Sequence, residues 1–163
     1  MNKPRRLIVA ISGASGIIYG IRLLELLRKV EVEAHLVVSR AAERTRDCET
    51  KLSAQELRAL ATVSYRVGDI GAAIASGSYR TMGMVIAPCS ARTLAEIASG
   101  ASTSLLTRAA DVVLKERRRL VLLVRETPLH AIHLRNMLMV TEAGAIVMPP
   151  VPAFYNLPQS IDE

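Results

Sequence analysis

The chain has no tryptophan, and Phe and Tyr together make up only 3% of its 163 residues. A core cannot rest on large rings here. It falls to Val, Ile, Leu, Ala and Met, and half of the sequence is hydrophobic. An aliphatic core of this kind suits a parallel sheet buried by helices on both faces. The scarcity of rings also argues against a groove for single-stranded nucleic acid, where bases stack on aromatic side chains. The balance is basic, with 21 Lys and Arg against 15 Asp and Glu. The basic residues are scattered, which favours a positive cleft for a phosphate-bearing ligand over a nucleic-acid surface. Cysteine is sparse: Cys48 and Cys89 lie far apart with no Cys-x-x-Cys. That disfavours a disulfide framework or zinc ribbon and fits a reducing cytoplasm. No apolar run is long enough to span a membrane, and the short one near the N-terminus is broken by Ser12-Gly-Ala-Ser-Gly16. Asp47, Asp69, Asp111 and Asp162 are isolated, so no Asp-rich set offers converging ligands to magnesium.

The length fits one domain. Arg6 to Ile11 is a continuous run of apolar β-formers and predicts a buried first strand. After a Gly/Ser turn, Ile18, Ile21, Leu24 and Leu27 share one face of a helix over 17–28, and 33–38 predicts strand two. Such a β-α-β unit implies a right-handed crossover and a parallel sheet. Ser53-Ala-Gln-Glu56 is a capping box that opens a short helix to about Ala61. Residues 62–80 are rich in Gly and Ser and predict an irregular surface excursion. A strand over 82–87 is stopped by Pro88. Helices follow over 90–98 and 103–117, a strand over 120–124, a helix over 129–142 closed by Gly144, and a last strand over 145–148. The alternation predicts one domain over 1–163, a doubly wound α/β fold.

In such sheets ligands sit beyond the carboxyl ends of the strands, near the point where strand order reverses. Ser12 to Gly16, Ser39-Arg40, Cys89 to Thr93, Arg125-Glu126 and Phe154-Tyr155 all follow predicted strands. The first of these turns lets backbone N–H groups and hydroxyls approach a phosphate or flat ring, although any tight strand-to-helix turn needs the same residues. Gly-x-Gly-x-x-Gly is absent and no acid ends strand two, so nicotinamide dinucleotide chemistry is disfavoured. Ser90 is either an ordinary helix cap or, with Thr93, part of a phosphate cradle. Lys115-Glu-Arg-Arg-Arg119 reads as a solvated helix end. Arg125 and Glu126 differ: a buried strand delivers both charges to its carboxyl end, where charge is costly unless it acts. His130 and His133 read as helix-surface residues.

Taken together, Ile11-Ser-Gly-Ala-Ser-Gly16, Cys48-Glu49-Thr50, Pro88-Cys-Ser90 with Thr93, Arg108 to Arg117, Arg125-Glu-Thr-Pro-Leu129 and Pro149 to Tyr155 resemble the UbiX-type flavin prenyltransferases. The resemblance runs over essentially the whole chain. It implies a Rossmann-like flavoprotein that joins a dimethylallyl group from dimethylallyl monophosphate to reduced flavin mononucleotide (FMN), without a metal. The product would serve a partner decarboxylase in ubiquinone synthesis or aromatic acid decarboxylation. It also implies a homododecamer with active sites at protomer interfaces. Gly13, Ala14, Ser15, Ser39, Ser90, Ala91, Arg92, Thr93 and Arg125 would contact FMN. Lys115, Arg125 and Tyr155 would hold the prenyl phosphate. Ser15, Glu49, Glu126 and Lys115 would serve catalysis, with Arg108 nearby. Members of that family carry a further helix beyond the position of Glu163, which the 163 residues would lack. The alternatives are an FMN-dependent cysteine decarboxylase of the phosphopantothenoylcysteine type and a basic nucleotide- or RNA-binding protein. The first has Pro-Ala-Ser-Ala-Asn-Thr where this chain has Pro88 to Thr93.

Overall fold

The computed structural model of the chain describes residues 4–160. Six parallel strands form one sheet in the order β3-β2-β1-β4-β5-β6. Their ranges are β1 Arg6–Ile11, β2 Glu33–Val38, β3 Val63–Tyr65, β4 Gly83–Cys89, β5 Arg119–Val124 and β6 Ala145–Val147. The helices are α1 Ile17–Lys29, α2 Arg40–Glu49, α3 Ala54–Ala59, α4 Ala91–Ala98, α5 Leu105–Lys115 and α6 Ala131–Glu142. Strand order reverses between β1 and β4, the switch point of a doubly wound sheet.

The two-residue period of the strands divides the core between the sheet's faces. Val9, Ile11, Ala34, Leu36 and Val38 pack against Ile17, Ile21 and Leu24 of α1, with Ala42 of α2 and Leu57 of α3. On the other face Ile8, Ala10, Val37, Met84, Ile86, Leu120 and Leu122 meet Leu94 of α4, Val140 of α6 and five residues of α5, among them Leu105 and Ala109. Among the described residues no helix is long and apolar enough to cross a membrane.

Three expectations change. Residues 40–49 form a helix that the apolar pattern does not announce, because α2 buries only Ala42 and Arg46. Arg46 is held there by Glu43 at 3.1 Å and by the Leu52 carbonyl at 2.5 Å. The 62–80 segment is not wholly irregular: it supplies edge strand β3, paired to β2, and sends Ile74 into the core at 1% exposure. Pro88 does not stop its strand, since β4 runs through it to Cys89 with a register shift after Ile86. The Ser53 capping box is present, closed by Glu56 from both sides.

Candidate functional site

The carboxyl ends of β1 and β4 are fastened together by one buried hydroxyl. Ser12 Oγ donates to the Pro88 carbonyl at 3.0 Å and accepts from the Ser90 N–H at 2.7 Å. This link sets the Gly13–Gly16 turn beside the start of α4. Gly13 is required by close approach, because a Cβ there would collide with Ala41 on α2. Gly16, at φ +100, makes the turn into α1 in a conformation that favours glycine.

Three helices then begin around one cavity of about 420 Å³. Ser39 caps α2 by accepting from Ala42 N at 3.1 Å, Ser90 caps α4 through Thr93 N at 3.2 Å, and Ser104 caps α5 through Thr107 N at 3.4 Å. Each helix start carries partial positive charge and spare N–H groups, and all three caps belong to the cavity wall. Arg40 and Arg92 add full charges. Such a wall suits a phosphate monoester with an adjoining ring system. Glu96 is the only carboxylate among the lining side chains; it pairs with Arg92 at 2.9 Å and accepts from Thr103 Oγ1 at 2.9 Å.

The first turn of α1 is arranged differently. Its Gly16 and Ile17 N–H groups are taken by Glu49, which reaches across from the end of α2 with contacts of 2.9 and 3.0 Å. The turn therefore does not present these amides to a phosphate. Partial desolvation pushes the Glu49 carboxyl up, but hydrogen bonds from Ser15, Ile17 and Gly16, together with the positive Arg125, outweigh it and hold Glu49 below the usual carboxylate range. Ser15 and Glu49 are thus hydrogen-bonded at the start of α1 within the field of Arg125, outside the cavity lining, which Gly13 joins. Arg125 N is bonded to the Cys89 carbonyl at 3.0 Å, so β4 and β5 place it there.

Of the expected FMN contacts, Gly13, Ser39, Ser90, Arg92 and Thr93 line the cavity, while Ala14, Ser15, Ala91 and Arg125 do not. Glu126 accepts from the Thr127 N–H at 3.1 Å, and Arg108 pairs with Asp111 at 2.7 Å. Lys115 is not brought to the cavity within one chain. It stands at the far end of α5, about 15 Å along the helix from Leu105, where it pairs with Glu116 beside Gly77. Tyr155 lies outside the lining at 87% exposure. Residues not anticipated as ligands also line the cavity: Val67 and Gly68 from the excursion, and Thr103, Ser104, Leu106 and Thr107 from the start of α5. The spacing Ser104-Leu-Leu-Thr107 could have marked that helix start; nothing in the sequence marks Val67. Burial pushes the Cys89 thiol up to about 12, which removes it as a nucleophile.

A family model described as Flavoprotein matches residues 1–159. A flavin prenyltransferase UbiX of Neisseria meningitidis is 60% identical over 159 residues, spanning 98% of this chain and 84% of that protein. The chain belongs to the UbiX flavin prenyltransferases. A crystal structure of AnUbiX in complex with FMN and dimethylallyl pyrophosphate superposes with a TM-score of 0.97 at 52% identity, covering 98% of this chain and 85% of that one. A dodecameric FMN-dependent UbiX-like decarboxylase from Escherichia coli O157:H7 gives 0.94 at 50% identity, covering 96% and 85%. The flavin prenyltransferase family thus agrees with the sequence resemblance, and the cysteine decarboxylase reading is not favoured.

Proposed function

We propose that this protein transfers a dimethylallyl group from dimethylallyl monophosphate to reduced FMN, in the cytoplasm, and hands the prenylated flavin to a decarboxylase that uses it. The observation that carries the reading is the cavity ringed by three hydroxyl-capped helix starts, in a chain 60% identical to a flavin prenyltransferase. The fit to FMN rests on chemistry. Ser39, Ser90, Thr93 and Ser104 offer short donors and helix N-termini to one phosphate, and Gly13 keeps the approach open. Reduced FMN, when bound, supplies the nucleophilic ring that receives the prenyl group.

The remaining work falls to the chain. The allylic C–O bond breaks with its electron pair departing on phosphate, so a preplaced cation lowers that barrier. Arg125 supplies one, placed by the end of β5. Glu126 lies next to it on the phosphate side. Either the released phosphate or Glu49, kept ionised by its three donors, would take the proton that prenylation releases, and Ser15 orients that carboxylate. Lys115 and Tyr155 complete the phosphate site from a second copy, since α5 directs Lys115 away from the cavity of its own chain. A homododecamer like the Escherichia coli relative would provide such a copy. With Arg and Lys to neutralise the leaving group, no divalent metal is needed. Anaerobic incubation with reduced FMN and dimethylallyl monophosphate, followed by mass spectrometry, tests the reaction. A flavin heavier by one five-carbon unit is expected, and an unmodified flavin after full turnover time contradicts it.

A further inference from the structure

Among the described residues, five polar or charged side chains are buried, and four of them have evident duties. Ser12 ties β1 to β4, Arg46 holds α2, and Thr93 and Thr107 lie in capping turns. The fifth, His35 on β2, is 1% exposed and lies outside the cavity. Its ring is set between two tyrosines. Nδ1 is 2.9 Å from the Tyr65 hydroxyl and Nε2 is 3.4 Å from that of Tyr79. The Tyr65 ring stacks on it at 5.9 Å, and the Tyr79 ring meets it edge-on at 5.5 Å.

These two tyrosines bracket the excursion between β3 and β4. The chain leaves β3 at Tyr65 and within three residues forms cavity wall with Val67 and Gly68. The Val67 carbonyl accepts from Leu105 N at 2.8 Å, which joins that wall to the start of α5. The segment then buries Ile74 and returns at Tyr79, where Arg118 donates to the Tyr79 and Gly77 carbonyls at 2.8 and 2.7 Å. Arg118 grips one end only. His35 touches both ends through side chains that differ from phenylalanine by one hydroxyl each.

We propose that His35 is a positioning residue for the flavin cavity: through Tyr65 and Tyr79 it holds both ends of the segment whose Val67 and Gly68 form one cavity wall. The inference rests on the reading that this cavity takes FMN. A neutral imidazole has one donor and one acceptor, so one tyrosine donates to the ring and the other accepts from it. Protonation turns both ring nitrogens into donors and places a charge at a buried site. The charged groups that act on the ring are Glu33 on its own strand, at 3.8 Å, and Arg6 on β1. Arg6 pairs with Glu33 at 2.9 Å and lies over the Tyr79 ring, so the negative charge that Glu33 turns toward the imidazole is partly offset. Desolvation lowers the His35 pKa, and Glu33 only partly restores it. Burial therefore favours the neutral ring, with one tyrosine donating and the other accepting, and acid works against that arrangement.

FMN affinity measured by fluorescence quenching between pH 5 and 8 tests this, on wild type and on Tyr65→Phe, Tyr79→Phe and His35→Gln. Each tyrosine variant keeps its ring, so the fold is retained even if His35→Gln unfolds. The FMN dissociation constant at pH 7.5 should rise about fivefold to tenfold when one of these buried hydrogen bonds is lost. Amide hydrogen exchange should quicken over 66–80 with little change in β1 and β4. The flavin phosphate itself gains a proton in this range, so the readout is the difference between proteins. Wild type should weaken more steeply on acidification than Tyr79→Phe. Equal affinities, equal pH profiles and unchanged exchange in both tyrosine variants would overturn the role of His35. Failure of wild type to bind FMN at any pH would instead overturn the reading of the cavity.

Discussion

Replacing Glu49 with glutamine separates its charge from its shape. The carboxylate accepts from Gly16 N and Ile17 N, and from Ser15, at the positive start of α1. Glutamine keeps the length but has one acceptor oxygen and no charge. Both amides use the same carboxylate oxygen, so the glutamine oxygen can still accept them; what is lost is the Ser15 hydrogen bond, about 1 kcal/mol. Losing the charge at the helix start costs a further ~0.3 kcal/mol, the low end of its range, because Glu49 is exposed to water. For a chain of this size the sum corresponds to a fall in Tm of about 2–5 °C. The sign with pH follows from the lowered pKa. A depressed carboxyl stabilises the fold above its unfolded pKa, and the contribution is lost as pH falls through the folded value. The gap in Tm between wild type and Glu49→Gln should therefore be full at pH 7 and should close below about pH 4. Calorimetry at both pH values measures it. No gap at pH 7, or one that persists unchanged in acid, would refute the reasoning.

Further outcomes are expected. Calorimetry should show FMN binding more tightly than FAD or NAD, since three helix starts converge on one cavity suited to one terminal phosphate. Lys115→Ala should impair use of the prenyl phosphate with FMN affinity nearly intact, and Arg125→Ala should impair both. If Lys115 acts across protomers, mixed oligomers of the two impaired variants should regain part of the wild-type rate, and no recovery after verified subunit exchange would place both residues in one chain. EDTA should leave the rate unchanged, with dimethylallyl monophosphate preferred over diphosphate; a loss reversed by magnesium would contradict the charge argument. Mass spectrometry after iodoacetamide at pH 8 should find Cys48, which is exposed, modified before Cys89, whose thiol is buried and pushed up to about 12.

The elements with strong apolar patterns were legible in the sequence: apolar runs marked β1, β2 and β5, the 3.6-residue period marked α1, and the alternation of strands and helices gave the doubly wound class. The elements that hide are those whose burial rests on few residues or on polar ones. Helix α2 buries one alanine and an arginine, and strand β3 is three residues long with two of them exposed. The cavity was half legible for a related reason. A cap such as Ser90 can be read from its spacing to Thr93, and the turn after β1 from its glycines. Val67 and Gly68 become wall through long-range pairings, among them the 2.8 Å hydrogen bond that ties their segment to Leu105, which no local pattern records.

Lys115 shows a different limit. Local chemistry and family resemblance gave opposite accounts of it, a solvated helix end and a phosphate ligand. The single chain agrees with the first, because Lys115 pairs with Glu116 far from the cavity. Both accounts can hold if the ligand is bound between chains. A solvated lysine at a helix end is a long, mobile cation that another protomer can recruit without burying a charge beforehand. Its pair with Glu116 is exposed and therefore weak, so exchanging it for a phosphate costs little. The residue that looks least committed within one protomer is then well suited to complete a site that two protomers share.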